Sequence, residues 1–349
     1  LDSAHAALLQ LREYGTDRWS LDLCAACGVD LAQLPPVYPG HHVQGEVTEA
    51  AAAATGLRAG TPVMVGTVDS GAAALEAGVS EVGIAAEVTG TSTVVIMPNA
   101  GGATSPALIS MPHALPGMDL IQGAMVATGA SLSWYRDQFG LVEQQAAPLL
   151  DADVFDLLTS QAQRIGPGSN GVLFLPYMMG ERSPLWHTHA RGVLFGLSLA
   201  TTRGAVIRAI LEGAAFALLH NIDVARSVGV GVDEVRSVGG GARSPLWCQI
   251  KADVLGMPVL LPQVSVGAPF GDAMLAGMGV GLFPDISQTL REIVQVRTIY
   301  EPNPAHRALY DDLYGVFREL YNHVRADFDR LAAVMATHTY PGKNCGNPQ

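Results

Sequence analysis

Three times in this chain an apolar run breaks at a glycine-centred turn: Thr89-Gly90-Thr91-Ser92, Thr128-Gly129-Ala130-Ser131 and Gly239-Gly240-Gly241-Ala242. Apolar strand candidates that alternate with helical stretches predict an α/β domain, a sheet with helices packed on it. A glycine turn at the end of such a strand exposes backbone N–H groups, and a helix starting there adds its positive end. Together these suit a phosphate or a ribose. A single turn of this kind is weak evidence. Three of them, with Asp69 at the end of a fourth apolar run, define a candidate site.

The rest of the chain fits that frame. Residues 42–47 read as a short strand, and Thr48 caps an alanine-rich helix that stops at Gly56. The run 62–68 reads as a buried strand delivering Asp69, with a helix over 71–77 behind it. Residues 85–97 read as two strands joined at the first glycine turn, and 123–137 as strand, turn and helix start. Another buried strand is expected at 171–177. Over 203–225, Val206, Ile207, Ile210, Leu211, Ala214 and Leu218 recur at the spacing of an amphipathic helix, with Thr201 or Thr202 as its cap. Residues 235–238 form a strand entering the third turn, 246–255 a helix, 305–334 a long charged helix, and the last dozen residues a tail. The glycines at 277–281 allow a helix end to pack closely.

Composition excludes several classes. With 49% hydrophobic and 15% charged residues the chain can bury a large core. Its net charge of −12 opposes binding to nucleic acid or an anionic membrane, although a nucleotide can still be held by local amides. No run approaches the 18 or so consecutive apolar residues of a membrane span. Four cysteines are too few for a disulfide framework, which points to a reducing cytoplasm. Cys24 and Cys27 form a C-x-x-C on a short helix with no second ligand pair, so two buried helix cysteines are expected rather than a metal or redox centre. His187 and His189 form H-x-H without a nearby third ligand, and no metal site is assigned. Glu181 and Arg182, in G-E-R-S-P, could close a site or merely order a loop. P-loop, dinucleotide and G-x-S-x-G motifs are all missing. Asp69 is the catalytic candidate: at the end of a parallel strand it would face a ligand crevice and take a proton or help hold magnesium. On local grounds it could equally be a helix cap.

The stretches Gly171-Val-Leu-Phe-Leu-Pro-Tyr-Met-Met-Gly-Glu-Arg-Ser-Pro-Leu-Trp, Ala190-Arg-Gly-Val-Leu-Phe-Gly-Leu and Arg208-Ala-Ile-Leu-Glu-Gly-Ala-Ala-Phe come in an order that resembles the FGGY carbohydrate kinases, especially their xylulokinase-like branch. So do Gly239-Gly-Gly-Ala-Arg-Ser-Pro-Leu-Trp and, upstream, Gly66-Thr-Val-Asp-Ser-Gly and Val88-Thr-Gly-Thr-Ser. The resemblance implies an actin/hexokinase-type, ribonuclease H-like fold and Mg²⁺-dependent transfer of phosphate from ATP to a sugar hydroxyl. D-xylulose is the expected sugar, with other ketoses or polyols as alternatives. It makes Asp69 the general base and assigns Gly90, Thr91 and Ser92 to a phosphate turn. Gly129 and Ser133 line the nucleotide, and Gly240, Gly241, Ala242 and Pro245 surround the adenosine. The family's opening Asp-x-Gly-Thr turn does not occur here. The chain is therefore expected to be the C-terminal, nucleotide-binding half alone: 1–62 a remnant of the first domain, 63–337 the nucleotide domain, 338–349 a tail. Such a chain would bind nucleotide and turn over sugar poorly. From a different class, it would be a non-catalytic nucleotide-binding module or inactive fragment. A homodimer is compatible with the surface, without an argument for one.

Overall fold

The computed structural model describes residues 1–263 and 266–338; the expected tail beyond His338, with Cys345, lies outside them. The N-terminal stretch carries α1 (Ser3–Leu8), capped by the Asp2 carboxylate, and α2 (Leu21–Cys27), which ends on Gly28 in the left-handed conformation. Cys24 is buried but Cys27 is exposed, so only one of the two cysteines packs inward. Next come β1 (Val43–Glu46), α3 (Glu49–Thr55) between its expected Thr48 and Gly56 caps, and β2 (Pro62–Met64).

Here the structure departs from expectation. β2 pairs only with β1, as an exposed antiparallel ribbon outside the main sheet. An apolar run has no directional signal of its own, and this one is interrupted at Gly66, whose φ of +77° turns the chain. Asp69 therefore does not end a parallel strand. It is the first residue of α4 (Asp69–Glu76).

The main sheet has seven strands. β3 (Gly83–Thr89) and β4 (Thr93–Asn99) form a hairpin, which β5 (Ile109–Pro112) and β6 (Asp119–Met125) extend in antiparallel fashion. Helices α5 (Thr128–Phe139), α6 (Leu141–Leu150) and α7 (Val154–Gln163) follow, then the small ribbon of β7 (Leu173–Leu175) and β8 (Val193–Phe195). After α8 (Arg203–Ser227), strand β9 (Val232–Gly239) joins β3 in parallel on its other side. It is followed by α9 (Pro245–Leu255), β10 (Val259–Pro262), α10 (Pro269–Gly279), α11 (Ile286–Ile293), β11 (Val296–Tyr300) and α12 (Arg307–Thr337). The sheet order is β11-β10-β9-β3-β4-β6-β5.

Both faces of the sheet are buried at its central strands β3, β4 and β6, by the two-residue alternation of side chains. Ala85, Val95 and Ile121 point into the larger core, with α8 and α9. Their neighbours Ala86, Ile96 and Leu120 point to the opposite face, where Val68, Ala74 and Ala77 at α4 and Ala4 of α1 cover them. Among the described residues α8 is the one helix long and apolar enough to cross a membrane, and 89% of its most apolar window is buried inside the protein. It is enclosed on nearly all sides rather than amphipathic, which its spacing did not reveal. Its two buried charges pair internally: Arg208 Nε donates to Glu212 at 2.8 Å, and Glu212 also accepts from Tyr310 Oη, Ser169 Oγ and the Gly168 amide. At the end of α10, a Cβ on Gly279 would lie 2.5 Å from the His41 carbonyl, the close packing expected of that glycine cluster.

Candidate active site

The parallel register of β3 and β9 sets Thr89 opposite Gly239, so the turns that end these strands lie side by side. A Cβ on Gly239 would come within 2.7 Å of the Thr89 carbonyl oxygen, and one on Gly241 within 2.7 Å of the Thr89 side chain. The remaining turn joins from another direction. At the start of α5, a Cβ on Gly129 would sit 1.8 Å from the Gly90 carbonyl, and the Ala130 amide donates to Thr91 O at 2.8 Å. All three glycine turns thus meet around residues 89–92, and glycine is what lets their backbones touch.

A buried polar network underlies that junction. Glu87, fully buried on β3, accepts from both Lys251 Nζ (2.9 and 2.8 Å) and from the hydroxyls of Thr89 and Ser237. Thr89 Oγ1 lies 2.7 Å from Thr93 Oγ1, which in turn lies 2.5 Å from Thr128 Oγ1 on α5. One chain of contacts therefore ties β3, β4, β9, α9 and the start of α5 together below the turn.

Asp69 approaches from the other side. Its carboxylate is exposed at the first turn of α4 and accepts the Ser70 amide at 2.6 Å. The helix is capped by Val68 without a side-chain bond, so Asp69 occupies its first turn rather than the cap itself. Asp69 and Ser92 line one cavity of about 620 Å³ together with Gly239 and Arg182. Gly90 and Thr91 are exposed at the tip of the β3–β4 turn; Gly240, Gly241 and Ala242 continue from Gly239 in a short 3₁₀ turn, and Pro245 opens α9. Ser133 is half-buried, one turn along α5, away from the cavity wall.

Several wall residues carry no strong sequence signal. Gln122 arrives from β6, and Gly267 and Ala268 from the segment before α10. Glu76 at the end of α4 accepts the Gly267 amide, at 2.6 Å, and so holds that segment in place. The Glu181–Arg182 pair, expected either to close a site or to order a loop, does both. Arg182 faces the cavity, while Glu181 Oε1 orders the loop by accepting the Val126 amide at 2.9 Å and the Arg182 amide at 2.8 Å.

Burial pushes the Glu181 carboxyl up from the ordinary 4.5 to about 7, against the opposing pull of those two amides. Its other oxygen is buried without a partner among the described residues. Because the folded value is the raised one, this group favours folding most at acid pH, and that contribution fades as pH rises from 4.5 through 7. At about 1.4 kcal/mol per pH unit, the loss is on the order of 3 kcal/mol. Glu181→Gln should flatten the decline in urea midpoint between pH 5 and 8. A decline as steep in the variant as in the parent would refute the assignment.

This mixed sheet with helices on both faces is shared with solved sugar kinases, which places the protein in the actin/hexokinase-like, ribonuclease H-like class. The xylulose kinase from Rhodospirillum rubrum matches the fold with a TM-score of 0.80 at 33% identity, over 89% of this chain and 61% of that one. The model of the FGGY C-terminal domain matches residues 85–280 and that of the N-terminal domain residues 2–76. The chain belongs to the FGGY family of carbohydrate kinases. It is 32% identical over 327 residues to the Autoinducer-2 kinase of Enterobacter sp. (strain 638), covering 92% of this chain and 61% of that relative. It is 29% identical over 326 residues to the Xylulose kinase of Bacillus subtilis (strain 168), at 93% and 63%. The chain thus spans about three fifths of the length of the curated relatives it matches. The expectation of a C-terminal portion alone is overturned, because the N-terminal domain is matched through Asp69 and to the end of α4. An absent Asp-x-Gly-Thr turn was too narrow a criterion for a whole domain.

Proposed function

We propose that this chain carries the machinery for phosphoryl transfer from ATP to a ketose hydroxyl, with D-xylulose going to D-xylulose 5-phosphate. The observation that carries the reading is the single cavity lined by Asp69, Ser92, Gly239 and Arg182. Asp69 takes the proton of the attacking hydroxyl as its oxygen bonds to the γ-phosphorus and the bond to the departing ADP oxygen breaks. Amides at Thr91 and Ser92 and the Arg182 guanidinium stabilise the spreading charge, while the Gly90 amide closes the turn by donating to the Ser92 carbonyl at 2.9 Å. The nucleotide would extend from this cavity past Gly129, with Gly240, Gly241, Ala242 and Pro245 around its adenosine end, and Ser133, away from the cavity wall, takes no part in this reading.

Magnesium fits this wall only sparsely. Glu76 is tied to the Gly267 amide, while Asp69 has no partner outside its own helix among the described residues. The ion would be held mainly by phosphates and water, as Mg²⁺ commonly is, and would neutralise phosphate charge. The 32% identity to an Autoinducer-2 kinase favours that kinase's substrate as a second reading.

Calorimetric titration with Mg-ADP and Mg-ATP tests the nucleotide half of the proposal. Saturable binding is expected, and Thr91→Pro should weaken it at least about tenfold by distorting the turn and placing a ring at its exposed tip. Equal affinity in a folded variant would remove the 89–92 turn from the site. Comparing ADP release with D-xylulose, D-ribulose and glycerol tests the sugar, and preference for either of the latter two would overturn the xylulose assignment.

A further inference from the structure

Between β7 and β8 the chain runs through a long loop, 176–192. One part of it brings Arg182 to the candidate cavity, and another part rests on α12. At the second contact, His187 Nε2 lies 3.1 Å and His189 Nδ1 2.9 Å from the same oxygen, Asp329 Oδ1 on α12. The three potential ligand atoms all fall within 4.8 Å of one another. The H-x-H motif lacked a third ligand in the sequence because that ligand is far along the chain; the fold supplies it.

We propose that His187, His189 and Asp329 bind a single divalent transition-metal ion of the zinc type. The donor set is two imidazole nitrogens and one carboxylate oxygen, which suits zinc and disfavours magnesium or calcium, whose ligands are oxygens. Zinc bonds of roughly 2.0–2.1 Å at tetrahedral angles hold neighbouring ligand atoms about 3.3 Å apart. The two distances to Asp329 are within a few tenths of that, and the two ring nitrogens lie within 4.8 Å of each other, so closure around an ion requires the imidazoles to draw together.

The surroundings are organised for such a site. His187 is buried, and its other ring nitrogen, Nδ1, lies 3.0 Å from the buried hydroxyl of Tyr321. That hydroxyl can accept the Nδ1 proton, which leaves Nε2 free for a metal; a partner of this kind is how ligating histidines are oriented. His189 and Asp329 are about half exposed, at 51% and 57%. An ion can therefore enter from solvent and keep a water as its fourth ligand. Binding would cross-link α12 to the loop that bears Glu181 and Arg182.

The chelator-treated chain titrated with Zn²⁺ by calorimetry, and with Co²⁺ by visible absorption, tests the proposal. One ion per chain is expected, with a Co²⁺ spectrum of low coordination number and a Zn²⁺-induced rise in the thermal midpoint. His189→Ala, at an exposed position that should leave folding intact, should lose at least about a hundredfold in affinity. Tyr321→Phe should lose roughly tenfold, the usual cost of removing a partner behind a ligand. No saturable zinc binding by the parent chain, or binding that His189→Ala leaves unchanged, would overturn the site. The trio would then be a hydrogen-bonded clamp on α12.

Discussion

Replacing Asp69 with Asn is expected to lower sugar-dependent ADP release by about 10²–10⁴-fold, whatever the parent rate with D-xylulose, while Mg-ADP affinity stays within about twofold. The amide keeps the size of the side chain and can still accept the Ser70 amide at the first turn of α4. It cannot take a proton from a hydroxyl. General-base catalysis contributes about 10²–10⁴ in rate, or roughly 3–5 kcal/mol of barrier. Because Asp69 is exposed and outside the packed turns, its replacement should leave the urea midpoint within experimental error. The measurement is a steady-state coupled assay beside a calorimetric titration. A rate loss accompanied by an equal loss of nucleotide affinity would mean that Asp69 builds the site rather than acting on the substrate. Undiminished turnover would remove it from the chemistry altogether.

The second large effect lies below the turns. Lys251→Met is expected to destabilise the fold by about 3–5 kcal/mol, because it strands the Glu87 carboxylate in the core. Lys251 is 2% exposed and Glu87 0%, and both carboxylate oxygens lie within 2.9 Å of Nζ. The ammonium also sits 4.9 Å over the Trp247 ring, a contact that a methionine side chain can partly fill. Glu87→Gln in the Lys251→Met background should recover a substantial part of the loss, since the amide carries no charge and can offer its oxygen to one of the Thr89 and Ser237 hydroxyls and donate its NH2 to the other. Equilibrium urea unfolding of the parent, both single variants and the double variant supplies the cycle. If the two single changes simply add, the pair is not coupled and the network does not hold the turn as described.

The two halves of the site were legible to different degrees. The 89–92, 128–131 and 239–242 turns stand out because glycine after an apolar strand is a local signal, although the backbone contacts that require it join segments far apart in the chain. The setting of Asp69 was not legible. An apolar run such as 62–68 serves equally for a buried strand and for an exposed ribbon that bends at Gly66, and only the pairing partner decides between them. Nor could spacing show that α8 is enclosed all round, since Arg208 and Glu212 look solvent-facing until Tyr310 is brought beside them. The same limit hid Asp329 from His187 and His189. Local chemistry can be read from neighbours in sequence; contacts made by distant segments await the fold.

The meeting of the three turns has a consequence for how this chain would respond to a ligand. A molecule gripped by amides from all three sees a complete site only while β3, β9 and α5 are docked together. Partial openings that free any one of these elements would release it. Binding energy would therefore add to the free energy of every such opening at once, rather than stiffening a single loop. An occupied site would make the centre of the sheet behave as a larger cooperative unit than it is when empty.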